Sequence, residues 1–347
     1  MKRLMTILAI ALVAMAAVAE EKDGVAWSYL VHFGMNMWRD THVRDMPKDT
    51  KPEDAYTFYS DKVRFDYGEW QRLSARLRAA GCNQLVIDLG EFPVYPSHPE
   101  LAVEGSWPAE KLREELKRLR AMGFEVVPKL NFSAIHDTWM KDMHRRVSTP
   151  EYYQLCRDVI RDVIDLFGRP RLFHLGFDEE DVNNGKWPEY QVIRRGGLLW
   201  HDLKFLVDEV EKGGSRAWIW ADLAWKHRQE FIANCPKTVL LGTWYYWKFF
   251  DYKNPATAEE YRRSLEAYIA LDKAGYEQVP CSSIWNCDEN TPLLAKFAKE
   301  NLSKERVKGF MMAPWLSTTP EPENRANADR AVDIFATTMR ESGLGRN

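Results

Sequence analysis

Eight short apolar, β-rich segments alternate with eight amphipathic helical patterns along the 347-residue chain, and this alternation constrains the fold more than any other feature. The strand candidates are residues 26–37, 83–89, 125–130, 172–177, 217–222, 239–244, 278–285 and 309–315. Helical patterns follow at 67–80, 108–122, 152–167, 198–211 and 258–274, with three weaker ones at 229–233, 292–301 and 324–342. Five of the helices run into Gly81, Gly123, Gly168, Gly213 or Gly275 just before the next strand. Glycine there lets the chain reverse tightly, because it adopts left-handed backbone angles without steric cost. Strand–helix alternation builds a parallel sheet, and eight repeats close it into a (β/α)8 TIM barrel. The competing doubly wound open sheet would bring a Gly-rich phosphate-binding turn, and the chain has neither G-x-G-x-x-G nor G-x-x-x-x-G-K-[ST]. No Ser/Gly/Pro-rich linker interrupts the pattern, so residues 25–342 are expected to form a single domain.

The first nineteen residues read differently. Lys2 and Arg3 precede an apolar run at 4–16, and Ala17-Val18-Ala19 is a small-residue cleavage signal before Glu20. This is the pattern of a secretory signal peptide, and it implies a secreted or periplasmic protein. The run is short for a membrane span, which takes about 20 residues. Removing Lys2 and Arg3 takes the formal charge from −3 to −5, a mild acidity unsuited to a nucleic-acid partner. Five cysteines, Cys82, Cys156, Cys235, Cys281 and Cys287, form no C-x-x-C pair, which argues against a structural zinc and for buried free thiols. No motif implies a metal or other cofactor.

In a TIM barrel the reactive face lies at the carboxyl ends of the strands. Reading the residues there in order gives Trp38, Arg39 and Asp40; Asp88 and Glu91; Asn131 and His136; and then four consecutive acids, Asp178-Glu179-Glu180-Asp181. The remaining ends carry Trp220, Asp222 and Trp225; Trp244, Tyr245, Tyr246 and Trp247; Trp285, Asn286 and Asp288; and Trp315. Seven of the fourteen tryptophans therefore gather at one rim. Aromatic faces stack on the apolar faces of sugar rings, and carboxylates and amides bind hydroxyls. Acids among tryptophans at a barrel mouth suit glycoside hydrolysis, which takes a proton donor and a group that stabilises the sugar cation. Asp178 and Glu179 are the foremost candidates because they follow a strand directly. Glu180 and Asp181 read as loop charge, and His174 as an interior residue that fixes a neighbour by hydrogen bonding.

His174-Leu175-Gly176-Phe177-Asp178-Glu179 resembles the H-x-G-G-D-E signature of family 20 glycoside hydrolases, the β-N-acetylhexosaminidases. Residues 83–88, 123–131 with His136, Trp220-Ala221-Asp222 and 309–315 resemble further segments of that family in the same order. The resemblance implies an oligosaccharide or glycoconjugate substrate and a retaining mechanism in which the substrate's own 2-acetamido oxygen is the nucleophile. It would make Glu179 the general acid/base and Asp178 the group that holds the acetamido N–H. Tyr245 or Tyr246 would donate to the acetamido oxygen, and Trp220, Trp244 and Trp315 would wall its pocket. Arg39 would bind outer hydroxyls, and Asp88, His136, Asp222 and Trp285 would complete the substrate-binding set. The chain departs from the pattern at Phe177, where the signature has a second Gly. It also departs at Lys129, where an acid is usual, and at Leu316-Ser317, where an acid commonly follows the last strand. The residues themselves leave open a carbohydrate-binding barrel without hydrolysis, a glycosidase of different sugar specificity, and a cation site on the four acids. Asp178 and Glu179 can both face one pocket only if the strand ends or bends there, since neighbours in a strand point to opposite sides.

Overall fold

The computed structural model describes residues 25–181, 189 and 192–344. The signal-peptide segment at 1–19 lies outside the described residues. Eight parallel strands close into one barrel in sequence order: β1 (Ala26–His32), β2 (Gln84–Asp88), β3 (Glu125–Lys129), β4 (Leu172–His174), β5 (Arg216–Trp220), β6 (Leu240–Trp244), β7 (Gln278–Ser282) and β8 (Gly309–Met312). Closure is made by β1 against β8, with Ala26 opposite Gly309 and Tyr29 opposite Met312. The chain is thus a single (β/α)8 TIM barrel, as the alternation predicts.

Around it run α1 (Tyr67–Ala80), α2 (Ala109–Ala121), α3 (Pro150–Leu166), α4 (Gly197–Lys212), α5 (Leu223–Lys226), α6 (Arg228–Asn234), α7 (Glu259–Lys273), α8 (Asn290–Asn301) and α9 (Pro322–Glu341). The weak pattern at 229–233 falls within the short α6, and a one-turn helix not read from the sequence, α5, precedes it. Pleating sorts the strand residues into two cores. Leu30, Val86, Val127, Leu172, Trp218 and Met311 fill the barrel. Val31, Leu85, Ile87 and Phe173 face outward and pack under the helices. Four of the five cysteines are buried, and all five are free thiols.

The clearest difference from the sequence expectation is at the strand ends. β1 stops at His32 and not at 37, β4 at His174 and not at 177, β7 at Ser282 and not at 285, and β8 at Met312 and not at 315. Single ladder bonds run a residue or two further, as far as the Gly176 carbonyl after β4, and the backbone then turns to shape the mouth. Gly176, Phe177, Glu179 and Trp315 all take positive φ, at 67°, 69°, 56° and 56°. For a residue with a side chain this conformation costs on the order of 1–3 kcal/mol and persists only where the surroundings enforce it.

Candidate active site

The chain after β4 is bent by three residues in the left-handed region, and the bend decides what the acids do. With Phe177 and Glu179 at positive φ, the strict alternation of an extended strand is broken. Asp178 and Glu179 then both line one cavity of about 340 Å³ at the carboxyl ends of the strands. Gly176 is fixed in identity by space as well as by φ, because a Cβ there would lie 2.2 Å from Asn131 Oδ1. His174 holds the start of the bend: its Nδ1 accepts the Gly176 N–H at 3.0 Å. Burial, and then the Lys129 ammonium, keep this imidazole well below its usual pKa.

The loop after β3 grips the acids from the other side. Asn131 Nδ2 donates to Asp178 Oδ1 at 2.8 Å, while its Oδ1 accepts the N–H groups of Ser133 and Phe177 at 3.0 and 3.3 Å. Ser133 Oγ donates to the main-chain oxygen of Asp178. His136 Nε2 lies 2.9 Å from Glu179 Oε2 and 3.7 Å from Asp178 Oδ2. Burial opposes a charge on His136, but the carboxylates of Asp178 and Glu179 outweigh it and raise the pKa to about 9. Below that pH the imidazolium donates to Glu179. Asp222, just past β5, accepts the Glu179 N–H at 2.9 Å on Oδ2 and the Trp244 indole N–H at 3.3 Å on Oδ1. Burial, and next the nearby Asp178 charge, push its pKa up to about 7.

The second pair of acids corrects the sequence expectation for Glu180. It is not a solvated loop charge. Glu180 is buried in an ion pair with the fully buried Arg194, and its Oε1 also accepts the Ala134 N–H at 2.9 Å. Arg194 continues to Asp202 at 3.3 Å and donates to the Phe132 carbonyl at 2.8 Å. Asp181 pairs with Lys226 at 2.8 Å. With these two acids engaged in ion pairs, the run 178–181 does not converge on one cation.

Aromatic residues make most of the remaining wall. Trp244 stacks on Tyr246 at 4.9 Å and on Trp247 at 6.4 Å. Trp315 donates its indole N–H to Tyr246 Oη at 3.1 Å, and Trp285 is 56% exposed at the mouth. Of the residues expected to bind substrate, His136, Trp244, Tyr246, Trp285 and Trp315 line the cavity. Asp222 reaches it through the Glu179 and Trp244 contacts. Arg39, Asp88, Trp220 and Tyr245 are not among the lining residues. Arg39 is engaged with Thr57 at 2.9 Å and covers the Phe58 ring at 4.5 Å. Asp88 is buried in an ion pair with Lys129. Trp220 is buried inside the barrel against His174. Tyr245 donates to the Phe249 carbonyl at 2.6 Å, in the outer core.

Sequence reasoning missed Asp54, Tyr56 and Thr57, which also line the cavity. They come from a 3-10 turn at Pro52–Thr57, far from any strand end, and the one signal for them was an acid beside an aromatic in the long segment before the first helix. Arg194 was missed as well, because nothing local distinguishes it from a surface arginine.

The barrel resembles solved structures. A β-N-acetylhexosaminidase from Bacteroides fragilis superimposes with a TM-score of 0.60 over 90% of this chain and 65% of its own, at 12% identity. This chain shares its fold. The GH20 β-N-acetylhexosaminidase from Streptomyces coelicolor matches at 0.59, with 14% identity over 89% of this chain and 64% of its own. A GH20 exo-β-N-acetylglucosaminidase from Vibrio harveyi, solved with N-acetylglucosamine, matches at 0.57, with 12% identity over 92% and 57%. The chain thus spans less than two thirds of the length of each of these three structures. Neither a protein-family model nor a curated protein matches the sequence.

Proposed function

We propose that the chain is a glycoside hydrolase that removes terminal N-acetylhexosamine with retention of configuration, using the substrate's 2-acetamido group as nucleophile. The observation that carries this is the bend after β4, which sets two adjacent carboxylates, Asp178 and Glu179, in one aromatic-walled cavity. Glu179 is the general acid: its proton passes to the leaving oxygen while the acetamido carbonyl oxygen bonds to the anomeric carbon. Asp178, oriented by Asn131, accepts the acetamido N–H and faces the positive charge of the cyclic intermediate. Glu179 then takes a proton from water as that water opens the intermediate. His136 sits on Glu179 and holds a proton within one hydrogen bond of it. Tyr246, in the wall, supplies a hydroxyl for the acetamido oxygen, and the tryptophans supply apolar faces for the sugar. We also propose export of the protein, on the strength of residues 1–19.

Aryl glycosides with and without the 2-acetamido group test this directly. Turnover is expected for the acetamido sugars alone, with Glu179→Gln and Asp178→Asn slowed by roughly 10²- to 10⁴-fold at unchanged circular dichroism. Equal turnover of sugars lacking the acetamido group, or full activity in both variants, would refute the mechanism.

A further inference from the structure

The segment after β1 is built into the cavity wall by contacts that leave little freedom. The Arg39 N–H donates to the Thr57 carbonyl at 3.0 Å, and Arg39 Nε to Thr57 Oγ1 at 2.9 Å. Thr57 Oγ1 in turn donates to the main-chain oxygen of Asp54 at 2.7 Å. Arg64 donates to the Tyr56 carbonyl at 2.6 Å and is itself tied to Asn36 Oδ1 at 2.9 Å. The Tyr56 ring meets Trp38 edge-on at 5.1 Å, and Trp38 meets His136 at 6.3 Å. A continuous packed wall therefore runs from this turn to the histidine that holds Glu179.

Three carboxylates line the cavity among the described residues: Asp54, Asp178 and Glu179. Asp178 is bonded by Asn131, and Glu179 by His136. The Asp54 carboxylate is partly buried and has no hydrogen-bond or ion-pair partner among the described residues. An ionised carboxylate is an acceptor only, with about four lone-pair sites. One held in a cavity wall without a protein donor is placed to receive donors from a ligand, and neighbouring hydroxyls on a sugar are donors of that kind. Preorganisation by Arg39 and Arg64 means that binding orders little of the wall.

We propose that Asp54 is the carboxylate by which this cavity recognises hydroxyl groups of its sugar, and so sets which epimer it accepts. Arg39, whose position near the mouth first marks it as a sugar ligand, acts instead as a positioning residue for the Asp54 turn. This assignment rests on the glycosidase reading above and deepens it. A charge-assisted hydrogen bond of this type is worth roughly 10- to 100-fold in affinity.

The test is a titration of tryptophan fluorescence in wild type, Asp54→Asn and Asp54→Ala. The ligands are N-acetylglucosamine, N-acetylgalactosamine and the 3-, 4- and 6-deoxy forms of the better-bound sugar. One deoxy sugar should bind wild type about 10- to 100-fold more weakly than its parent, yet bind wild type and Asp54→Asn equally. Deoxy penalties that are the same in wild type and in both variants would overturn the role of Asp54 while leaving the glycosidase reading standing. A wild-type protein that binds none of these sugars would overturn both.

Discussion

Phe177 is the residue by which the β4 motif departs most from the hexosaminidase signature, and the structure gives it a job. Its ring lies beneath the Arg194 guanidinium, 4.7 Å away, and does not line the cavity that its neighbours Asp178 and Glu179 line. Arg194 carries charge into the core only because Glu180, Asp202 and the Phe132 carbonyl surround it. Phe177, Glu180 and Arg194 thus form a buried peg on which the acid-bearing bend is hung. Removing one partner of a buried charge cluster leaves the others uncompensated, at about 3–5 kcal/mol. Arg194→Met should therefore lower stability to urea by that amount. A loss below about 1 kcal/mol would mean the peg is not what holds the bend. Gly176→Ala strikes the same bend from inside, since its Cβ would meet Asn131 Oδ1 at 2.2 Å and its φ is 67°. It should cost about 1–3 kcal/mol in strain and, by displacing Asn131 from Asp178, depress turnover more than it raises KM. Assays of purified variants at saturating and subsaturating aryl glycoside separate the two effects. At this scale the sequence made Asp178 and Glu179 visible, because four acids after an apolar run have few physical excuses. It could not show that Glu180 is buried, because its partner Arg194 is a distant residue with no pattern of its own.

The elements were legible where their signals are local. Helix ends marked by glycine are an example: Gly81 caps α1 at φ 100°, and Asp66 caps its start by accepting the Glu69 N–H at 2.7 Å. Helix periodicity and strand order also survived, since each is repeated eight times and reinforced by the closure of the barrel. Strand ends were overrun because apolar residues continue past the ladder. Trp315 follows the β8 strand as if extended, yet it turns at φ 56° and donates to Tyr246. Residue type does not encode such turns; they are imposed by the rim packing. The outer helices and the mouth are correspondingly separable. Asp66→Ala removes the cap at the start of α1, a helix none of whose residues lines the cavity, and should cost about 0.5–2 kcal/mol in thermal or denaturant unfolding. Turnover per folded molecule should stay at the wild-type value, and a drop in it would show that α1 is coupled to the site.

For the molecule as a whole, the mouth concentrates groups whose proton affinity rises on folding, and this has a definite sign. Asp222 goes from 3.8 to about 7 through burial and then through the charge of Asp178. The native state therefore binds its proton more tightly than the unfolded chain does. Its contribution to stability is full below pH 3.8 and is lost as the pH rises through about 7. His136 goes from 6.5 to about 9, because Asp178 and Glu179 overcome the burial that opposes its charge. Its contribution is full below pH 6.5 and is lost as the pH rises through about 9. The two windows adjoin, so together they tilt stability downward from about pH 4 to 9. Asparagine mimics the protonated carboxyl, so Asp222→Asn should be flatter than wild type between pH 4 and 7 and run parallel to it from 7 to 9. His136→Gln, which keeps a donor but no titrating proton, should do the reverse. Thermal midpoints of the three proteins at constant ionic strength across pH 4–9 give the comparison. If Asp222→Asn instead follows the wild-type slope below pH 7, then Asp222 is ionised in the folded protein. The cluster of Asp178, Glu179 and Asp222 would then carry one more negative charge.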